Sequence, residues 1–131
     1  MTNRLASCSC GKLSAQVEGE PIRVSVCHCL ACQRRTGSVF AAQARFSRAN
    51  VTTRGEGKQF VRVGDEGSAA TFTFCADCGA TVWYVTAGND DMIAIPVGAF
   101  ADPAFPRPTF SVYEERMHGW VVMPSDIEHM D

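Results

Sequence analysis

Residues 27–32 read Cys-His-Cys-Leu-Ala-Cys and bring three thiols and one imidazole into a single short stretch. In an extended segment, side chains two positions apart point to the same side. We therefore expect the thiols of Cys27 and Cys29 to lie together and His28 to face away. A turn at residues 30–31 would return Cys32 to the same point. Three converging thiols suit a zinc ion with one open coordination position, whereas disulfides need an even number.

The other four of the seven cysteines form two close pairs, Cys8-x-Cys10 and Cys75-x-x-Cys78. An odd number of cysteines in close groups is not typical of a disulfide framework. In a reducing compartment, such groups are more often metal ligands. Gly79 directly follows the second pair and permits the tight turn of a metal-binding knuckle.

Ligand counting distributes the seven thiols over two zinc ions. Structural zinc takes four protein ligands, and reactive zinc takes three and keeps one position open. The natural partition gives one closed and one open site: Cys8, Cys10, Cys75 and Cys78 for structural zinc, and Cys27, Cys29 and Cys32 for catalytic zinc. A zinc ribbon built from Cys29, Cys32, Cys75 and Cys78 is a second partition. Its interval, residues 33–74, exceeds the usual ~15–20 residues, and it leaves three thiols unused.

Short stretches in which apolar and polar residues alternate are separated by turn signals. This pattern predicts a mainly β chain with one short helix. The helix is expected over residues 33–36, with Gly37 as its stop. Gly19-Glu20-Pro21 is expected to close a hairpin between the first two strands, and Asp65-Glu66-Gly67 to form another turn. The predicted strands cover residues 13–17, 22–26, 39–46, 51–53, 59–63, 70–74, 81–86, 92–97, 110–113 and 120–122.

Length and charge narrow the classes of function. A chain of 131 residues is expected to form one domain, residues 1–131. The net charge of −2 and the lack of a basic stripe argue against nucleic acid as a partner. No apolar run approaches the roughly 20 residues that span a bilayer. The first residues lack the apolar segment of a signal peptide, so we expect a cytoplasmic protein.

Four segments, taken together, resemble the glutathione-dependent formaldehyde-activating enzymes and their relatives in the centromere protein V group. The segments are Cys-Ser-Cys-Gly at 8–11, Val-Cys-His-Cys-Leu-Ala-Cys-Gln-Arg-Arg-Thr-Gly at 26–37, Phe-Cys-Ala-Asp-Cys-Gly at 74–79, and the aromatic-rich tail at 106–120. The resemblance implies a β-sheet fold of the Mss4-like, or β-tent, type. It also implies a four-cysteine structural zinc and a three-cysteine zinc at the active site, the partition that ligand counting favours.

The implied reaction joins glutathione and formaldehyde into S-hydroxymethylglutathione, or reverses that step, as a carbon–sulfur lyase. The partners would be a small thiol and a small carbonyl. A free thiol with a pKa near 8.5 is mostly protonated at neutral pH, and zinc with a vacant position can activate it or polarise the carbonyl. Three thiolates leave the ion with a net charge near −1, which favours thiol binding over water activation.

Other interpretations of the same residues stay open. The chain is alternatively a non-catalytic zinc module that docks a protein, or a thiol and zinc redox sensor. The three-cysteine zinc is alternatively structural, with a fourth ligand from elsewhere. We expect His28 to pack behind the site, and Arg34 and Arg35 to be solvated on the helix. His118 and His129 have no expected chemical role.

Overall fold

The computed structural model describes residues 2–64 and 67–131. These residues form eleven strands, one α-helix and three short 3-10 helices. The α-helix, α1, covers Leu30–Thr36, and the 3-10 helices cover Arg48–Asn50, Val97–Phe100 and Glu114–Arg116. The strands are β1 (Asn3–Ser7), β2 (Ser14–Glu18), β3 (Arg23–Cys27), β4 (Ala41–Ser47), β5 (Val51–Arg54), β6 (Lys58–Val63), β7 (Ala69–Phe74), β8 (Thr81–Thr86), β9 (Met92–Pro96), β10 (Phe110–Val112) and β11 (Glu128–His129).

The strands form two sheets. The small sheet has the order β1-β2-β5 and is antiparallel. The large sheet has the order β11-β10-β3-β4-β9-β8-β7-β6. Its strands are antiparallel except at one end, where β10 pairs in parallel with both β3 and β11.

The hydrophobic core lies between one face of the large sheet and the small sheet. Strand alternation sends Val24 of β3 and Phe46 of β4 into this core, where Ala15 and Val17 of β2 meet them. Phe100, on the 3-10 helix after β9, closes one side and contacts the ring of Phe46, with 6.1 Å between the ring centroids.

The opposite face of the large sheet is only partly covered. The alternate side chains of β3 and β4, including Ser25, Cys27 and Gln43, point to this second face and are buried although several are polar. Polar side chains buried on one face of a sheet require partners there. This face holds the candidate site.

The mainly β fold with one short helix is confirmed. Gly37 ends α1 as expected, with a left-handed φ of 71° and a backbone N–H that donates to the carbonyl of Gln33 at 2.9 Å. The helix begins earlier than predicted and contains Cys32. No described helix has the length and apolar character needed to cross a membrane.

The predicted hairpin around Gly19-Glu20-Pro21 is wrong. β2 pairs with β1 and β5, whereas β3 pairs with β4 and β10. The apolar faces of β2 and β3 meet across the core from opposite sheets, so hydrophobic contact takes the place of hydrogen bonding between them.

The predicted last strand at residues 120–122 is also wrong. Trp120 and Val122 are 72% and 87% exposed, and the backbone N–H of Val121 donates to the carbonyl of His118 in a turn. The last strand is instead β11. Of the turn expected at residues 65–67, Asp65 and Glu66 lie outside the described residues.

Candidate functional site

The first cysteine cluster joins the start of the chain to the segment after β7. The sulfur atoms of Cys8, Cys10, Cys75 and Cys78 all lie within 4.8 Å of one another. The separation is 3.7 Å between the Sγ atoms of Cys8 and Cys10, and 3.5 Å between those of Cys10 and Cys75. A tetrahedral ion with metal–sulfur bonds of 2.3 Å places its ligands about 3.8 Å apart. The four thiols therefore fit one metal ion.

Two tight turns shape this first cluster. The backbone N–H of Leu13 donates to Cys8 Sγ at 3.2 Å, and that of Gly79 donates to the carbonyl of Cys75 at 2.8 Å. Gly79 has a φ of 81°, which a residue with a side chain rarely adopts.

The hydrogen bond from the backbone N–H of Ala80 is the main cause that lowers the pKa of Cys78 to about 6. Thiolate character of this kind is what a cation site needs.

The second cluster, which we call the trio, consists of Cys27, Cys29 and Cys32. Their sulfur atoms also lie within 4.8 Å of one another. Cys27 ends β3, Cys29 is the residue that caps the start of α1, and Cys32 lies in the first turn of that helix. Among residues 2–64 and 67–131, no fourth Cys, His, Asp or Glu joins the trio. The trio can therefore offer a metal ion three side-chain ligands from these residues.

Hydrogen bonding and nearby charge favour a thiolate within the trio. The hydrogen bond with Cys27 is the main cause that lowers the pKa of Cys32 to about 5, and the guanidinium groups of Arg62 and Arg35 lower it further. The same hydrogen bond, followed by burial, raises the pKa of Cys27. These effects favour the thiolate form of Cys32, which is the form that binds metals.

His28 packs behind the trio, as expected. Its ring is fully buried, with Nε2 2.9 Å from the hydroxyl of Ser111 on β10 and its edge toward Phe40 at a centroid distance of 5.9 Å. The backbone N–H of His28 donates to the carbonyl of Val112 at 3.1 Å. The residue between two cysteines thus fastens the trio to β10.

Gln33 fastens the other side of the trio. Its side-chain amide donates to the carbonyl oxygens of His28 at 2.8 Å and Arg116 at 3.2 Å. Its Oε1 accepts from Nε2 of His118 at 2.9 Å. His118, which the sequence left without a chemical role, therefore supports the cysteine loop.

A groove of about 940 Å³ lies beside the trio on the open face of the large sheet. The trio forms part of its wall, and β3, β4 and β8 contribute further lining. Four arginines line it: Arg23, Arg45, Arg62 and Arg116. The trio therefore borders a space large enough for a small organic molecule.

Stacked aromatic rings support the cations near the trio. The rings of Phe72 and Tyr84 are 4.7 Å apart, and Arg62 lies 4.8 Å from the Phe72 centroid. Arg35 lies 5.1 Å from Phe72 and 5.6 Å from Tyr84. Arg35 is thus packed on aromatic faces and not simply solvated as expected, whereas Arg34 is exposed.

The family model of the glutathione-dependent formaldehyde-activating enzymes matches residues 3–116. The chain belongs to this family. No curated protein gives a significant match. Among solved structures, the crystal structure of a Rhodobacter sphaeroides protein is similar in fold, with a TM-score of 0.57 and 20% sequence identity. The similarity covers 76% of this chain and 91% of that one.

For this member of the formaldehyde-activating family, the structure brings together every cysteine group expected from ligand counting. It separates Cys29 and Cys32 from Cys75 and Cys78, so the zinc-ribbon grouping is wrong.

Sequence reasoning missed the polar floor and the cations of the groove: Arg23, Ser25, Gln43, Arg45 and Arg62. A usable signal was the spacing of Arg23, Ser25 and Cys27, which are every second residue of one predicted strand. This spacing places Arg23 and Ser25 on the face that carries the thiol of Cys27.

Proposed function

We propose that this chain catalyses the reversible addition of a small thiol such as glutathione to formaldehyde or a related small carbonyl, a carbon–sulfur lyase reaction. The observation that carries the proposal is the trio, a three-thiol cluster with no fourth side-chain ligand among the described residues, set in the wall of a groove. Membership of the family supports the same chemistry.

The proposal includes two zinc ions per chain. Cys8, Cys10, Cys75 and Cys78 would hold a structural ion, and Cys27, Cys29 and Cys32 would hold the catalytic one. Zinc held by the trio supplies, when bound, a Lewis acid with a vacant position for a sulfur or a carbonyl oxygen.

The reaction forms one carbon–sulfur bond. The thiol loses its proton, its sulfur electron pair bonds to the carbonyl carbon, and the electrons of the C=O π bond move to oxygen, which takes up a proton. Negative charge passes from sulfur to oxygen during this step. The guanidinium groups of Arg35 and Arg62, close enough to lower the pKa of Cys32, stabilise negative charge beside the trio.

The groove favours an enzyme over a protein-docking module. A docking module would present an apolar patch without a pocket beside the trio. Here the trio borders a groove that contains arginines and buried polar side chains. Ile22 and Leu30 line the same groove and are exposed, but they lie among these polar groups.

Exchange spectroscopy tests the proposal directly. Two-dimensional NMR can follow glutathione and its hydroxymethyl adduct as they interconvert at equilibrium. We expect substoichiometric zinc-loaded protein to raise both rates equally, Cys29→Ser to abolish the increase, and Arg34→Gln, an exposed neighbour on the same helix, to leave it unchanged. A zinc-loaded protein that accelerates exchange for no thiol would overturn the proposal and favour the docking or sensor interpretation.

A further inference from the structure

Two arginines lie directly opposite each other in the groove. Arg23 of β3 and Arg45 of β4 are cross-strand partners in the register of the large sheet. Like charges in this position destabilise a sheet. Burial and then the charge of Arg45 lower the pKa of Arg23, against an opposing effect of Glu128. Such a pair needs a compensating interaction.

The charge of Glu128 on β11 acts on Arg23 and raises its pKa, but this carboxylate forms no close ion pair with it. Within residues 2–64 and 67–131, neither guanidinium group forms an ion pair within 4.0 Å. Arg45 donates only a long hydrogen bond, 3.3 Å, to the hydroxyl of Ser25. Arg23 lies 3.9 Å over the ring of Phe110, and its Nε is buried without a hydrogen-bond partner in the described residues.

The next cross-strand pair on the same face is Ser25 and Gln43. Both are buried, at 2% and 3% exposure, and both line the groove. The Gln43 amide donates to the Ser25 hydroxyl at 2.8 Å, and its Oε1 is buried without a partner among the described residues. Exchanging the amide oxygen and nitrogen would leave a donor unpaired instead. A buried polar atom without a protein partner is uncommon and calls for a partner from outside the chain, such as water, an ion or a ligand group.

The third pair on this face is Cys27 and Ala41. The groove therefore presents, in order, the trio, a neutral polar pair with an unused hydrogen-bonding atom, and a pair of cations. Residues 23 and 27 are about 13 Å apart along an extended strand. This spacing is too long for a molecule that carries its anion next to its sulfur, and it suits a peptide-like thiol.

We propose that Arg23 and Arg45 bind a carboxylate of the thiol substrate, and that Gln43 binds an amide group between that carboxylate and the sulfur. This assignment rests on the proposed function. It adds the orientation of the substrate in the groove, with the sulfur at the trio and the carboxylate at the arginine pair. Two guanidinium groups can hold a carboxylate through paired N–H···O bonds. Neutral thiols, and thiols as short as cysteine, would then be poor substrates.

Binding of S-methylglutathione tests the arginine pair without requiring a reactive thiol. Calorimetry on the zinc-loaded protein should show a dissociation constant that rises roughly tenfold or more in Arg23→Gln/Arg45→Gln. Arg54→Gln changes an exposed arginine of β5 in the small sheet and should bind as the wild type does. Added salt should weaken binding to the wild type and have less effect on the double variant.

The thermal stability of the ligand-free protein supplies a second readout, which should respond in the opposite direction to the affinity. The single variant Arg45→Gln removes the repulsion without removing the contact between Arg23 and Phe110, and it should keep or raise the melting temperature of the ligand-free protein while it weakens binding. A merely structural arginine would lower the melting temperature and leave the affinity unchanged. That result, or equal binding by the wild type and the double variant, would overturn the assignment.

Exchange NMR separates this assignment from the proposed function. Glutathione should be a better substrate than its neutral dimethyl ester for the wild type, and this preference should disappear in the double variant. Catalysis with equal preference in both proteins would overturn the arginine assignment and leave the function standing. Absence of catalysis with every thiol, together with arginine-dependent binding of S-methylglutathione, would overturn the function and leave the arginine assignment standing.

Discussion

The sulfur of Cys29 accepts a hydrogen bond from the backbone N–H of Cys32 at 3.3 Å. This contact caps the first turn of α1, so one thiol of the trio fixes the start of the helix that carries another. The trio is therefore a local structure of one strand end and one helical turn. The four-cysteine cluster, in contrast, joins segments far apart in the chain.

Loss of the four-cysteine cluster should unfold the protein. We expect Cys78→Ser to lose metal and to aggregate or lose its cooperative thermal transition, because a structural metal contributes folding free energy directly. Metal analysis and calorimetry provide the measurement. Ser9→Ala, a change between two ligands at an exposed position, serves as the control and should behave as the wild type. A Cys78→Ser protein that melts cooperatively with its full metal content would contradict the assignment.

Loss of the trio should have a smaller effect on the fold. Cys32→Ser should remove one metal ion and leave most of the thermal transition in place, since the hydrogen bonds of His28 and Gln33 still hold this loop. Metal content and melting temperature, compared with those of Cys78→Ser, give the answer. Equal damage from the two substitutions would mean that the trio is structural.

The contact between His28 and Ser111 should stabilise the loop that carries the trio. Ser111→Ala leaves a fully buried imidazole nitrogen without its partner, which costs about 1–3 kcal/mol of unfolding free energy. Urea unfolding measures the change. Ser125→Ala, on an exposed turn, is the matched control and should change the unfolding free energy very little. A Ser111→Ala protein as stable as this control would show that the nitrogen finds another partner.

The ion pair between His129 and Glu114, 2.7 Å apart, should make stability depend on pH. Its hydrogen bond to Glu114 raises the pKa of His129. For Glu114, burial raises the pKa, but hydrogen bonds from Ser111 and His129 outweigh burial and lower it. The contribution of His129 is therefore complete below the unfolded pKa of about 6.5 and is lost as pH rises through the folded value.

Comparison of the wild type with His129→Gln isolates this contribution from the titration of the thiols. The difference in urea midpoint should be greatest in mildly acidic solution and should shrink toward alkaline pH. The effect should be small because both groups contact solvent. A difference that is constant or grows with pH would contradict the pairing.

The cysteine grouping could be predicted because ligand number and strand alternation are local rules. Other parts depended on contacts that local rules do not contain. β1 escaped prediction because Ala6 is buried while the larger Leu5 is exposed, so its apolar pattern is weak. Arg23 and Arg45 lie opposite each other because of the register of β3 with β4. The sequences of two separate strands do not specify that register in advance.

The link between Cys10 and Cys75 spans 65 positions of the chain. During synthesis, the first pair of thiols leaves the ribosome long before the second pair exists. Until residue 78 emerges, Cys8 and Cys10 are two of the four thiols that could hold a metal ion. The four-thiol cluster can therefore be complete only after more than half of the chain has been made.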